Sequence, residues 1–231
     1  MLPKTEGEMA RCIDQTNLQP EVTQPEMTAF LHRVRELGFA SAAIMPAWVP
    51  LASQILAGTG IAVDSSIGFP LGTCTTAEKA AEARWSVANS PECGELDMVM
   101  NLSLFKSGRY KEVKDDIRAV VEAADGRIVK VIIEVPLLTP AEVVIASLLC
   151  EGGGAHFIKT STGFKAFKGW RPSTVDDVRL IKSAVSDRMK IKIAGGIFTF
   201  EQAAAALQAG ASRIGTARGE QILAGYRKFY L

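Results

Sequence analysis

A single (β/α)8 barrel over residues 1–231 is the fold this sequence predicts, and three observations carry the prediction. Short apolar runs alternate with helix-length amphipathic stretches along the whole chain. Eight such runs recur at intervals of roughly 25–30 residues, the rhythm of repeated βαβ units. The 231 residues match the about 200–250 that a closed eight-fold barrel takes. No Pro/Ser-rich spacer, low-complexity tract or long charge block divides the chain. A doubly wound open sheet is the competing arrangement. It is disfavoured because no GxGxxG follows the first strand, and because polar residues end many strands instead of gathering at one crevice.

In chain order the predicted strands are RCIDQT (11–16), FASAAIM (39–45), IAVDSSIGF (61–69) and ELDMVM (95–100). They continue with IVKVIIEV (128–135), HFIKTS (156–161), KIKIAG (190–195) and SRIGT (212–216). Each is a short run with the apolar content that a parallel strand covered on both faces requires. The intervening stretches EMTAFLHRVRELG, TAEKAAEARWSVA, YKEVKDDIRAVVEAA, PAEVVIASLLCEG, TVDDVRLIKSAV and FEQAAAALQAG predict helices. Thr139-Pro140 opens one of them, because proline lacks only a donor that the first helical turn leaves unused. Glycines after REL and LQA close two others.

A chain that is 48% hydrophobic and 22% charged can build one large core. Its formal net charge of +1 gives no general attraction to nucleic acid or anionic membrane, so neither is an expected partner. Cys12, Cys74, Cys93 and Cys150 are scattered without a CxxC pair, and are read as reduced thiols. His32 and His156 lie far apart, with no Cys/His cluster, so no metal site is expected. The stretch MLPKTEGEMARC lacks an apolar signal core, and no run reaches the ~18 apolar residues of a membrane span. A cytoplasmic enzyme is expected.

Barrel enzymes carry their chemistry at the C-terminal ends of the strands. The charged residues placed there are Asp14, Asp97, Lys130, Glu134, Lys159 and Lys192. Apolar neighbours such as Leu96 and Met98, or Ile191 and Ile193, point these charges inward by the two-residue alternation of a strand. Lys130 and Glu134, four apart on one face, balance each other's charge or serve the substrate; Lys130 is kept as a substrate-binding candidate. Lys159 and Lys192 on adjacent strands repel unless one loses its proton. Bringing an ordinary lysine near pH 7 takes roughly 4.6 kcal/mol of differential interaction. Burial with a neighbouring ammonium suffices. The neutral amine would attack a carbonyl to give a Schiff base, with the hydroxyls of Thr160, Ser161 and Thr162 expected to support the adduct. Asp97 would relay protons, or merely neutralise Lys192.

The loops after strands 7 and 8, AGGI (194–197) and IGTARG (214–219), bring glycines to the recurrent phosphate position of this architecture. Lys165, Lys168 and Arg171 in KAFKGWRP stand at the same rim or form a solvated loop.

IDQTNLQP, FASAAIMPAWVPLA, SSIGFPLGTCTTAEKAAEA, ELDMVMNLSLFKSG, VKVIIE, FIKTSTGF, KIAGGI and RIGT resemble, in order and spacing, the motifs of the deoxyribose-phosphate aldolase family. The resemblance spans about residues 10–219. It implies a (β/α)8 class I aldolase without metal or organic cofactor, acting on 2-deoxyribose 5-phosphate. By that resemblance Lys159 is the Schiff-base lysine, Lys192 the lysine that keeps its pKa low, and Asp97 the proton relay. Asp14 and Thr16 fall on first-strand positions near the substrate; Thr162, Gly163, Gly195, Gly196 and Gly215 fall on the substrate and phosphate side. Three departures are visible. Gln15, Asn17 and Gln19 replace His, Leu and Lys; Phe198 stands where arginine is frequent; Ala217 and Arg218 replace two serines after RIGT. Arg218 then supplies a charge-assisted phosphate contact, or the pocket has moved toward an unphosphorylated or carboxylated aldehyde. A sugar-phosphate-binding barrel without catalysis is the alternative of another class. Pairing of two copies is open, with Trp48, Trp85 or Trp170 as contributors, and the tail YRKFYL docks or hangs free, Tyr230 being able to reach the mouth.

Overall fold

In the computed structural model, which describes residues 2–230, all eight predicted strands form and close on themselves. The strands are β1 (Ile13–Asn17), β2 (Ser41–Ile44), β3 (Ala62–Ile67), β4 (Cys93–Val99), β5 (Ile128–Ile132), β6 (Phe157–Lys159), β7 (Lys190–Ala194) and β8 (Arg213–Thr216). Every neighbouring pair is parallel, and β8 returns to pair with β1. The helices are α1 (Glu6–Ala10), α2 (Gln24–Leu37), α3 (Val49–Leu56), α4 (Thr76–Ala88) and α5 (Leu102–Lys106). They continue with α6 (Tyr110–Ala123), α7 (Pro140–Gly152), α8 (Val175–Ala184), α9 (Phe200–Ala209) and α10 (Gly219–Tyr230).

The core lies between barrel and helices. Leu96, Met98, Val129, Val131, Ile158, Ile191, Ile193 and Ile214 alternate with the charged positions, and are buried with Leu31, Val34, Ile117, Val120, Ile181 and Ile222 of the helices. Each such side chain contributes about 1.5–3 kcal/mol through removal from water. The polar positions therefore have one direction left, the barrel axis.

Five helices start on reciprocal caps: Thr23 with Glu26, Thr75 with Glu78, Thr139 with Glu142, Thr174 with Asp177, and Thr199 with Gln202. A cap of this kind is worth about 1 kcal/mol. Its position matters more here, because each one ends a loop leaving the C-terminal rim of the barrel. Proline at the head of α7 and glycine after α2 and α9 stand as predicted.

Several predicted strands run past their observed ends, and two of these overruns bear on the site. β5 stops at Ile132, and Glu134 takes a left-handed backbone with φ +53°, so the strand alternation no longer aims its side chain. β6 stops at Lys159. Helices α1, α3, α5 and α10 are additions to the prediction. In α3 Pro50 sits in the first turn, where it does not break the helix. The tail docks as the end of α10: Tyr226 is buried against Phe200, and Tyr230 packs on Tyr226 with ring centroids 4.7 Å apart. Tyr230 does not line the cavity at the barrel mouth. Among the described residues no helix is long and apolar enough to cross a membrane.

Candidate active site

Register sets the inward charges side by side in two pairs, and their side-chain contacts join them into one layer. Asp97 on β4 stands opposite Lys130 on β5, and Lys159 on β6 opposite Lys192 on β7. Asp97 is the hub. Its Oδ2 accepts from Lys159 Nζ at 2.6 Å and from Lys192 Nζ at 2.7 Å, and its Oδ1 accepts from Lys130 Nζ at 3.0 Å. Lys192 also lies 2.7 Å from Asp14 Oδ2 and 3.1 Å from Asp64 Oδ2. Arg213 closes the layer, 2.5 Å from Asp14 and 3.1 Å from Glu95.

Lys130 differs from its predicted arrangement. Its ammonium lies 2.6 Å from Asp64, 2.6 Å from Glu95 and 3.4 Å from Asp14, and it makes no ion pair with Glu134. Those three carboxylates converge as metal ligands would, and the lysine already fills the space among them. Lys130 and Asp14 are fully buried and do not line the cavity, so their expected direct contact with substrate is replaced by a place in the layer beneath it. Glu134 accepts instead from Ser161, from the Thr162 backbone N–H at 3.0 Å and from the Thr162 hydroxyl at 2.6 Å.

The electrostatic consequences differ among the lysines. Burial pushes the Lys159 amine down, Asp97 opposes the change, Lys192 reinforces it, and the result lies below the ordinary lysine value. Burial acts the same way on Lys192 and Lys130, but surrounding carboxylates outweigh it and hold both amines above that value. For Asp97, burial pushes upward and three ammonium groups more than reverse it. The expected division is present: a lysine with a weakened hold on its proton beside one that keeps its charge.

Above this layer opens a cavity of about 750 Å³. Lys159 lines it, while Lys130, Lys192 and Asp97 do not. Of the residues the sequence singles out, Thr16, Thr162, Gly163, Gly195, Gly196, Gly215 and Arg218 all line it. Gly196 has φ +102°, and a Cβ there would stand 2.7 Å from Pro172 Cβ, so the loop requires glycine on two counts. At Gly215 a Cβ would stand 2.9 Å from Lys192 Cε and 3.0 Å from Ala194 Cβ. Gly215→Ala is expected to cost about 1–3 kcal/mol by overpacking. By displacing the Lys192 stem it should also lower kcat/KM about 10²-fold. Thermal melts with steady-state kinetics check this, and an unchanged rate would show that the stem yields harmlessly.

The hydroxyls after Lys159 are committed elsewhere than expected. Thr160 Oγ1 bridges Ala194 N–H and C=O at 3.0 Å each, and Ser161 and Thr162 bind Glu134. They shape the loop under the cavity instead of reaching the amine. At the rim, Arg171 is held by Asp177 through two bonds of 2.7 and 2.8 Å, and Lys168 does not line the cavity. Lys165 does, with its ammonium 5.6 Å from the centre of the Trp170 ring.

Asp64, Glu95 and Arg213 belong to the same charged layer, though they are not among the residues the sequence singles out. Glu95 opens the predicted fourth strand and Arg213 is second in the predicted eighth, at the opposite end from the mouth, and the alternation that points Asp97 and Lys192 inward is the signal for both. Asp64 lies within the predicted third strand, but its neighbours Ser65 and Ser66 are polar too, so the apolar flanks that mark an inward charge are missing on that side.

No protein-family model matches the chain. Among solved structures it is similar to one described as "QR15, an Aldolase", with a TM-score of 0.88 and 38% identity over 95% of this chain and 96% of the other. An amine held at the mouth of such a barrel is the equipment of Schiff-base carbon–carbon chemistry, and the chain is an aldolase. A curated relative, deoxyribose-phosphate aldolase from Staphylococcus epidermidis, is 43% identical over 216 residues, 94% of this chain and 96% of the relative. The tetrameric deoxyribose phosphate aldolase from Aeropyrum pernix has a TM-score of 0.88 at 28% identity, covering 97% of this chain and 93% of that one. This chain belongs to the deoxyribose-phosphate aldolase family.

Proposed function

We propose that the chain reversibly cleaves 2-deoxy-D-ribose 5-phosphate to acetaldehyde and D-glyceraldehyde 3-phosphate, with Lys159 as the Schiff-base nucleophile. One observation carries the reading. Of the three lysines bound to Asp97, Lys159 alone lines the cavity, and it is the one whose amine is pushed toward neutrality.

The neutral amine adds to the C1 aldehyde of the open-chain sugar, water leaves, and a protonated Schiff base remains. Removal of the C3 hydroxyl proton lets C2–C3 break; the electron pair moves to C2 and on to the iminium, giving an enamine and releasing the C3 fragment as an aldehyde. Protonation at C2 and hydrolysis then free acetaldehyde and the amine. Asp97, 2.6 Å from Lys159 Nζ, is suited to relay these protons directly or through water. Lys192 keeps the neighbouring positive charge that disfavours a second one on Lys159.

The phosphate is assigned to the other side of the cavity. Among the described residues no carboxylate lines the cavity, whereas Arg218 and Lys165 do, together with Gly163, Gly195 and Gly196. Among the described residues the Arg218 side chain makes no ion pair. A charge-assisted hydrogen bond is worth about 1.5–3 kcal/mol. Arg218→Ala is therefore expected to raise KM for the phosphorylated sugar roughly 10–150-fold and to leave KM for unphosphorylated deoxyribose unchanged. Equal kcat/KM for the two sugars in the unaltered protein would remove phosphate from this assignment. It would favour the second reading, an unphosphorylated or carboxylated aldehyde, which Ala217 and Phe198 at the rim support. Pairing of two copies is part of the proposal, with Trp85, 43% exposed on α4, as the tryptophan offering an outward face. So is a cytoplasmic location for one catalytic domain over residues 1–231.

A further inference from the structure

Asp64 is an acid for which the mechanism above has no use, and it is completely buried. Its Oδ2 accepts from Lys130 at 2.6 Å and Lys192 at 3.1 Å, whereas Oδ1 has no hydrogen-bond partner. Leaving one oxygen of a buried carboxylate unpartnered costs free energy, and the cost is lower when the group is neutral.

Counting charges shows when it would be neutral. The layer holds four carboxylates (Asp14, Asp64, Glu95 and Asp97) against Lys130, Lys192, Arg213 and Lys159. With Lys159 protonated the sum is zero. Once Lys159 becomes a free amine, one negative charge is left uncompensated in a dry interior, unless a carboxylate takes up a proton. Asp14 faces Lys192 and Arg213, and Asp97 faces three lysines; both are held below the ordinary carboxylate range despite burial. Asp64 is pushed the other way, to about 6, by burial and by the charge of Asp97, with Lys130 and Lys192 opposing. The remaining titratable neighbour on the adjoining strand, Cys93, is kept a neutral thiol by burial, its pKa pushed up to about 12.

We propose that Asp64 holds the proton that Lys159 gives up, so that the free amine forms while the barrel interior stays electrically neutral. This rests on Lys159 being the nucleophile. An unbroken path joins the two: Lys159 Nζ to Asp97 Oδ2 at 2.6 Å, the same oxygen to Lys192 Nζ at 2.7 Å, and Lys192 Nζ to Asp64 Oδ2 at 3.1 Å. Lys159 passes a proton to Asp97, Lys192 passes one to Asp64, and Asp97 returns one to Lys192. Asp97 and Lys192 end as they began, Lys159 ends as an amine and Asp64 as a carboxylic acid. A half-turn of the acid places its O–H on the side where Oδ1 lacks a partner. Asp64 touches neither cavity nor substrate, so it is a positioning residue that acts on the nucleophile through Asp97 and Lys192.

Lys159→Met imitates the uncharged amine and leaves Asp64 in place. Infrared spectra at about pH 8, above the ordinary carboxylate range, are expected to contain a protonated-carboxyl stretch in Lys159→Met that is weak or missing in the unaltered protein. Carbon-13 aspartate labelling should shift this band, separating it from Glu95. It should vanish in Lys159→Met/Asp64→Asn where that variant folds. Lys159→Met without the band, a band insensitive to aspartate labelling, or one that persists in a folded double variant would overturn the proposal. A second readout is the pH dependence of borohydride trapping by acetaldehyde. The unaltered protein should hold a plateau in which the proton moves only internally. Asp64→Asn should follow the single ionisation of an amine that must release its proton to water. Superimposable profiles would also overturn the proposal, since a purely structural role for Asp64 would rescale the rate and leave its pH dependence alone. If acetaldehyde and borohydride leave Lys159 unmodified, the Schiff-base reading fails by itself, and the infrared result still reports where the proton resides.

Discussion

Lys159→Ala is expected to lower kcat by roughly 10⁴- to 10⁶-fold, the range for removing a covalent nucleophile or its immediate partner. The fold should survive. Lys159 sits at the end of β6 with its ammonium at the edge of the cavity, 3% exposed, so alanine leaves space that water can enter from the mouth. The loss also spares Asp97 from isolation, because Lys192 and Lys130 remain bonded to it at 2.7 and 3.0 Å. Steady-state assays with circular dichroism melts check both halves of this expectation. A variant that keeps more than a small fraction of its rate would mean that another group carries the carbonyl chemistry.

Asp97→Asn should damage both stability and rate. Three ammonium groups converge on this carboxylate, all essentially buried, and an amide cannot neutralise them. Breaking a buried ion pair from one side costs about 3–5 kcal/mol. The loss of proton relay should lower kcat about 10²–10⁴-fold. The sign of the pH effect follows from the depressed Asp97 pKa. A carboxyl whose folded pKa lies below its unfolded value contributes stability that is complete above the unfolded value, about 3.9, and disappears as pH falls through the folded one. The stability gap between the two proteins should therefore be widest near neutrality and narrow in acid. Denaturant unfolding at several pH values would measure this, and a gap that does not change with pH would mean that Asp97 carries no net charge in the fold.

Much of this is legible in the sequence, because a closed parallel barrel makes two demands that a sequence displays. Its strands must be apolar toward the helices, so runs such as IVKVII and KIKIA announce themselves. Their polar exceptions must then face the axis. That logic places Lys159, Lys192 and Asp97 together without any structure. It names a direction and not a partner, so for Lys130 it offers Glu134 on its own strand or the substrate, and neither is what its ammonium meets. Across a closed barrel, the nearest carboxylates to Lys130 come from β1, β3 and β4. Alternation also ends where a strand ends. Glu134 and the hydroxyls of residues 160–162 lie beyond that point, and their directions depend on loop backbone that no period encodes. Glu95 and Arg213 bind one another and their neighbours deeper in the barrel, away from the C-terminal rim where barrel enzymes carry their chemistry.

The account depends on Lys159 offering an unprotonated amine to an aldehyde. The direct measurement is reduction with borohydride in the presence of acetaldehyde, followed by peptide mass mapping. A single ethyl group on the peptide containing Lys159, appearing in step with loss of turnover, is the result expected. An ethyl group on Lys192 or on surface lysines alone, or turnover that continues with Lys159 fully alkylated, would contradict it.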